Sequence, residues 1–134
     1  MFLLDTNVVS ETRRAKPHGA VIAWLTAAPA NSLLLSAMTV GEIQAGIERT
    51  RERDTAKAEM LAAWLAKLPS LYSVLPLDEG VCRLWGTLKH RRPATLFEDA
   101  MIAATALAHR LTVVTRNTRD FEVFGVPLLD PFQS

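Results

Sequence analysis

Short apolar runs alternate with longer amphipathic stretches along this chain. Phe2–Leu4 opens it with an apolar run of the length and composition of a buried strand. Val21, Ile22, Trp24 and Leu25 follow Pro17 at helical spacing, and Pro29 closes that helix. Ser32–Ser36 is a second strand-like run. From Thr39 to Glu48 the apolar positions Val40, Ile43 and Ile47 recur at helical spacing. Met60, Leu61, Trp64, Leu65 and Leu68 form an amphipathic stripe on a longer helix that should end before Pro69. Ser73–Leu77 reads as a third strand. Val81, Leu84, Trp85 and Leu88 mark another helix, with Cys82 beside the stripe as a small apolar core residue. Phe97–Arg110 is Ala-rich and apolar on nearly every side, the pattern of a central helix. Leu111–Thr115 is a short β-branched strand, and Leu128–Leu129 closes the sheet.

Strands alternating with helices predict an α/β fold: a mainly parallel sheet of about five strands, covered by helices on both faces. The 134 residues fit one domain spanning 1–134, with no repeat or linker-like stretch. With 49% hydrophobic and 22% charged residues, the composition is that of a globular protein able to build its own core. One cysteine excludes an internal disulfide framework and points to a reducing compartment, the cytoplasm. No apolar run reaches the roughly 18 residues of a membrane span. The Met1–Asp5 opening has no basic leader of the kind a signal peptide carries. A net charge of +1 does not mark a nucleic-acid binder, so any such function rests on how the charges are arranged.

The acids are arranged. In parallel sheets ligands bind beyond the carboxyl ends of the strands. Asp5 directly follows the first strand, and Glu42 lies just past the second. Asp99 lies in the first turns of the central helix, and Asp120 comes shortly after the Leu111–Thr115 strand. All of them fall at one edge of the predicted sheet. Each acid also has a local reading. Asp5 is placed to cap a helix beginning near Asn7. Thr39-Val-Gly-Glu42 and Thr95-Leu-Phe-Glu98 match the capping box. Asn117-Thr-Arg-Asp120 resembles a further cap, with an acid favoured by the helix dipole. Asp78 reads as a cap and Asp130, before Pro131, as a turn residue. Capping accounts for the acids singly better than it accounts for their convergence.

Crowded carboxylates raise one another's pKa, and a hard divalent cation removes that cost. Mg²⁺ takes oxygen ligands, keeps several waters and is typically held by one or two carboxylates. The chemistry this pattern supports is metal-assisted attack of water on a phosphodiester. Thr6, Asn7, Thr115 and Asn117 adjoin the acids and are placed to bond metal-bound water or phosphate, although such residues are also common in turns. Basic residues cluster at Arg13, Arg14 and Lys16, at Lys89–Arg92, and at Arg116 and Arg119. The last pair flanks the acids and is the best candidate for phosphate contacts. The Lys89–Arg92 run reads as a solvated helix end. His18, His90 and His109 show no zinc-like spacing with one another or with Cys82, and no phosphate-binding glycine loop is present.

Four blocks, taken in order, resemble the PIN-domain proteins, specifically the VapC and FitB-like toxins of type II toxin–antitoxin pairs. They are Leu3–Glu11; Ser36-Ala-Met-Thr39-Val-Gly-Glu42 with Gly46; Asp99–Ala106; and Val114–Phe121 with Gly125. The resemblance covers essentially the whole chain. It implies a three-layer α/β/α fold and an endoribonuclease dependent on Mg²⁺, for which Mn²⁺ substitutes. The family's acidic quartet maps onto Asp5, Glu42, Asp99 and Asp120. Asp5 and Asp99 would ligate metal directly, and Glu42 and Asp120 would act through water. Thr115 and Asn117 match supporting positions, and Glu98 is an additional acid beside the quartet. The resemblance also implies a homodimer, and a higher hetero-oligomer with a cognate antitoxin whose tail covers the cleft. An arginine in that tail would pair bidentately with the carboxylates.

Two other classes stay open from the sequence. A Mg²⁺-dependent phosphatase or phosphotransferase would use Asp5 as nucleophile, but Thr6 and Asn7 follow where a second acid is wanted. A non-catalytic RNA- or protein-binding module would gain nothing from clustered negative charge near phosphates.

Overall fold

The computed structural model describes residues 1–133. Its strands are β1 (Phe2–Leu4), β2 (Leu33–Ser36), β3 (Ser73–Leu75), β4 (Thr112–Val114) and β5 (Leu128–Leu129). They form one parallel sheet in the order β3-β2-β1-β4-β5. Leu3 pairs with Leu34 on one side and Val113 on the other, and Leu4 pairs with Val114. The strands are continuously apolar because both faces are covered, and successive side chains enter opposite layers. Leu4, Leu35 and Val114 join one core, while Leu3, Leu34 and Val113 join the other.

The first layer holds α1 (Thr6–Val9), α2 (Gly19–Ala27), α3 (Ala37–Arg51) and α4 (Thr55–Leu71). Val8, Val9, Val21, Ile43, Ile47, Leu65 and Leu68 bring their apolar stripes against the sheet. Fully burying a side chain of this kind contributes about 1.5–3 kcal/mol. The second layer holds α5 (Glu79–Leu88), α6 (Phe97–His109) and α7 (Thr118–Phe121). Every residue of α6 from Ala100 to Ala106 is buried, as its all-round apolar sequence predicts. Thr105 is the polar exception. Its hydroxyl bonds to Met101 O (2.9 Å) and shares a hydrogen bond with Ser36 (3.0 Å), tying α6 to the end of β2. The three-layer α/β/α architecture and the parallel sheet expected from the sequence are both present.

Four local expectations are corrected. α4 does not stop before Pro69 but runs on to Leu71. Proline removes one donor there, yet Tyr72 N still reaches Leu68 O at 2.9 Å and completes the final turn. Thr39 does not cap α3. Ser36 does, its hydroxyl accepting from Met38 N at 3.1 Å, and Thr39 lies buried inside the helix with its own hydroxyl unpaired. Thr95 does not cap α6 either; that helix starts at Phe97 with no side-chain cap. Cys82 is exposed rather than in the core. It sits one residue, about 100° of helix, past the buried Val81, and its Sγ donates to Leu77 O at 3.6 Å.

Candidate active site

The chain starts in the middle of the sheet, builds β2 and β3 to one side, and returns through α5 and α6 to build β4 and β5 on the other. The strand order therefore reverses between β1 and β4, where open α/β sheets form their binding crevice. Asp5 and Thr115 are the next residues after this pair. Asp5 N donates to Val114 O at 2.9 Å, which extends the β1–β4 ladder into the crevice.

Asp5 is buried and its carboxylate is well supplied with donors. Oδ1 accepts from Thr6 N at 2.8 Å, and Oδ2 accepts from Thr115 Oγ1 at 2.8 Å and Asn7 Nδ2 at 3.2 Å. Asp5 is thus the N-cap of α1 as well as the floor of the crevice, so the capping reading holds without excluding the other. Burial raises its pKa, and the bonds from Thr115 and Thr6 work against that rise. The donors are themselves braced. Asn117 N donates to Thr115 Oγ1 at 3.0 Å, and Arg116 N donates to Asn7 Oδ1 at 3.3 Å. Asn117 stands at the N-cap of α7 but makes no side-chain capping bond.

Because Ser36 caps α3, Glu42 is not spent on a capping box and turns toward β1. Its Oε1 accepts from Thr6 Oγ1 at 3.3 Å. Burial, a hydrogen bond with Glu98 and the negative charges of Asp5 and Glu98 push its pKa up to about 8, against the effect of Thr6. Two carboxyl groups can hydrogen-bond only while one proton is kept between them, so the raised value belongs to the Glu42–Glu98 pair. Glu98, exposed on the first turn of α6, thus acts on both Glu42 and Asp99. Its place beside Asp99 already offers it from the sequence as an extra acid for a metal's outer shell, alongside its capping-box reading.

Asp99 is half-buried, with its pKa raised to about 6 by burial and by the charges of Asp5, Asp120 and Glu98. Asp120, in the first turn of α7, stays exposed and reaches the cluster through its charge on Asp99. The fold thus gathers Asp5, Glu42, Asp99 and Glu98, with Asp120 at the rim.

All these donors are hard carboxylate or hydroxyl oxygens, and their mutual repulsion is what a bound dication would relieve. Among the described residues no three or more His, Cys, Asp or Glu side chains are arranged so that together they could hold a metal ion. A Mg²⁺ held by one or two carboxylates and completed by water fits this set; a closed all-protein cage does not.

Of the basic candidates, Arg116 is exposed with its guanidinium 3.8 Å from the centre of the Phe132 ring. Arg119 is exposed beside Asp120 and has no ion pair among the described residues. Lys89 is the C-cap of α5 and lies over Trp85 and Phe97, at 4.2 and 4.8 Å from the ring centres. Asp78 and Asp130 play the local roles expected of them. Asp78 accepts from Val81 N at 3.0 Å, and Asp130 accepts from Phe132 N at 2.9 Å.

Among known proteins, the PIN domain family matches residues 2–126 of this chain. The chain is 36% identical to the VapC ribonuclease Y4jK of Sinorhizobium fredii, over 99% of both proteins. It is 35% identical to Toxin FitB of Neisseria gonorrhoeae, over 98% of this chain and 99% of that one. The crystal structure of FitAcB from Neisseria gonorrhoeae superposes with a TM-score of 0.86 at 34% identity, covering 100% of each chain. With its whole length matched in sequence and in fold, the chain belongs to the PIN-domain family, in the group that contains the VapC and FitB toxins.

Proposed function

We propose that this protein is a divalent-metal-dependent endoribonuclease, the toxin of a toxin–antitoxin pair. The observation that carries the reading is the convergence of Asp5, Glu42 and Asp99 at the β1–β4 switch point, each with its carboxyl pKa raised. Burial is the main cause at each, the other acids add to it at Glu42 and Asp99, and acids so placed in a crevice are candidates for binding a ligand of opposite charge. The ribonuclease and toxin names of the relatives support the substrate and the role.

Asp5 and Asp99 would hold Mg²⁺ or Mn²⁺. When bound, the ion supplies charge stabilisation to the phosphoryl oxygens and lowers the pKa of a coordinated water. Thr6, Asn7 and Thr115 hold the Asp5 carboxylate in a single orientation, so no reorganisation is needed when phosphate arrives. Glu42 and Asp120 would orient the attacking water through hydrogen bonds. The water oxygen bonds to phosphorus as the ester P–O bond breaks; the water's proton passes to this carboxylate shell, and the departing ribose oxygen takes a proton from solvent and leaves as a hydroxyl. Arg116 and Arg119 contact backbone phosphates at the rim. The partner is a cognate antitoxin that covers the cleft, and the toxin assembles as a homodimer and, with antitoxin, as a larger hetero-oligomer.

Cleavage of a mixed RNA pool in Mg²⁺ or Mn²⁺, beside EDTA and Asp99→Asn controls, tests this directly. Cutting abolished in both controls is the expected result. RNA that is bound tightly in EDTA and never cut would instead identify a binding module.

A further inference from the structure

A recess of about 220 Å³ opens beside the acidic crevice, between the α1 segment and the α3–α4 pair. Thr6 and Glu42 line it, so it is continuous with the acids. Away from them it is lined by Arg13, in the 3-10 turn after α1, and by Arg49 and Trp64. Resting on the nuclease reading, we propose that this recess holds the nucleotide adjoining the scissile phosphate. Arg13 and Arg49 bind its phosphate, and Trp64 stacks on its base.

The charges are the first reason. Arg14, Arg51 and Arg83 each pair with a glutamate, whereas Arg13 and Arg49 pair with no carboxylate among the described residues. Two guanidinium groups sharing one recess repel each other, and an anion between them removes the repulsion. Their planar donor forks match phosphate oxygens.

The path of Arg49 is the second. Its Nη2 lies 3.6 Å from where a Cβ on Gly46 would stand, so the side chain folds back along α3 over a bare glycine. Gly46 is four residues beyond Glu42, about 6 Å along the helix axis. The guanidinium thus lies along α3 on the side of the helix that carries Glu42, with the residue itself exposed.

Trp64 supplies the third. Its Nε1–H is already committed to Thr12 Oγ1 at 3.1 Å, beside Arg13, which fixes the ring in the wall of the recess. Aromatic faces accept any base, and so serve an enzyme that positions single-stranded RNA before reading its sequence. The volume lies below the roughly 300–1,000 Å³ of a small-molecule pocket, which suits one unit of a polymer threading in from the crevice. A peptide carboxylate would satisfy one arginine pair equally well. A nucleic acid bound for cleavage brings one phosphate to the acids and offers the next to the arginines, which is what favours RNA under the nuclease reading.

The test measures the anisotropy of a fluorescein-labelled single-stranded ten-nucleotide RNA with the full chain carrying Asp99→Asn, so that the probe is not cut. Arg13→Ala and Arg49→Ala should each weaken binding about tenfold and flatten the salt dependence by roughly 0.7 in log–log slope per lost phosphate contact. Trp64→Leu should weaken it several-fold, while Trp64→Phe retains most of the affinity. Arg83→Ala, on the far helix α5, should change nothing. Arg49→Lys guards against misfolding, since it keeps the charge and the salt slope while losing the fork. Unchanged RNA affinity in Arg13→Ala and Arg49→Ala, from a protein whose wild type still cuts RNA, overturns the subsite and leaves the nuclease reading standing. A loss of affinity for an oligoglutamate peptide but not for RNA also overturns it, assigning the recess to a protein tail. A wild type that never cuts RNA, with binding still lost in the arginine variants, refutes the nuclease reading alone.

Discussion

Thr115 donates its hydroxyl to Oδ2 of Asp5 at 2.8 Å, across the one strand pair where the sheet reverses its direction of growth. The two residues are 110 apart in sequence, yet they stand side by side because Leu4 pairs in register with Val114. With Thr6 N and Asn7 Nδ2, the bond aims a buried carboxylate into the crevice.

Thr115→Val keeps the shape and removes that aim. It should destabilise the fold by about 1–2 kcal/mol, because the Asp5 carboxylate loses its strongest side-chain donor and Asn117 N loses its acceptor. Metal affinity should fall about 10- to 100-fold, the usual effect of losing a residue that orients a ligand. Titration calorimetry with Mn²⁺ reads this directly. Asp5→Asn should abolish cleavage yet still cap α1, since an asparagine oxygen accepts from Thr6 N as well as a carboxylate does.

The raised acids give stability a particular dependence on pH. Glu42 titrates near 8 in the fold against an ordinary 4.5, and Asp99 near 6 against 3.8. In each window the folded state binds more protons than the unfolded state, so stability falls as pH rises. The melting temperature in EDTA should therefore drop steadily from about pH 5 to pH 8. Glu42→Gln should flatten the upper half of that slope. Mg²⁺ should restore stability most strongly at pH 8, where the acids are free of protons and ready to bind it. A melting temperature independent of pH over this range would contradict the shifts.

Capping of α3 separates two neighbouring hydroxyls. Ser36→Ala removes both the cap on Met38 N and the bond to Thr105, and should cost about 1–2 kcal/mol. Thr39→Val removes only a buried hydroxyl without a partner, and should be neutral or stabilising. Urea unfolding of the two variants would show the opposite order if Thr39 were the cap.

α6 ends in a left-handed residue, Arg110, at φ 56° and ψ 49°. A side chain is strained there and glycine is not. Arg110→Gly should raise stability by about 0.5–1 kcal/mol with RNA cleavage unchanged, because the residue lies at the end of α6 opposite Asp99.

The periodicities of the sequence determined the layers, since burial on both faces of a parallel sheet leaves a signature in consecutive apolar residues such as Leu3-Leu4 and Leu33-Leu34-Leu35. They also predict Asp5, directly after a parallel strand, at the carboxyl edge of the sheet, with Glu42, Asp99 and Asp120 near the starts of helices that leave from that edge. Helix starts were less legible. A capping box is a short pattern that occurs by chance, and at Thr39 and Thr95 the helices begin where the strand ends or the preceding turn closes instead. Cys82 was misplaced for a similar reason, since one residue is enough to rotate a helical position out of the core.

Only the tertiary structure decided what the acids do to one another. Glu98 joins Glu42 because α6 and α3 meet at the crevice, a contact between segments more than fifty positions apart. Arg13, Arg49 and Trp64 likewise come from three separate segments, and no spacing along the chain relates them. Local sequence sets which residues can face a site. The distances that turn crowded carboxylates into raised pKa values, and unpaired arginines into a phosphate clamp, exist only once the sheet has brought remote segments together.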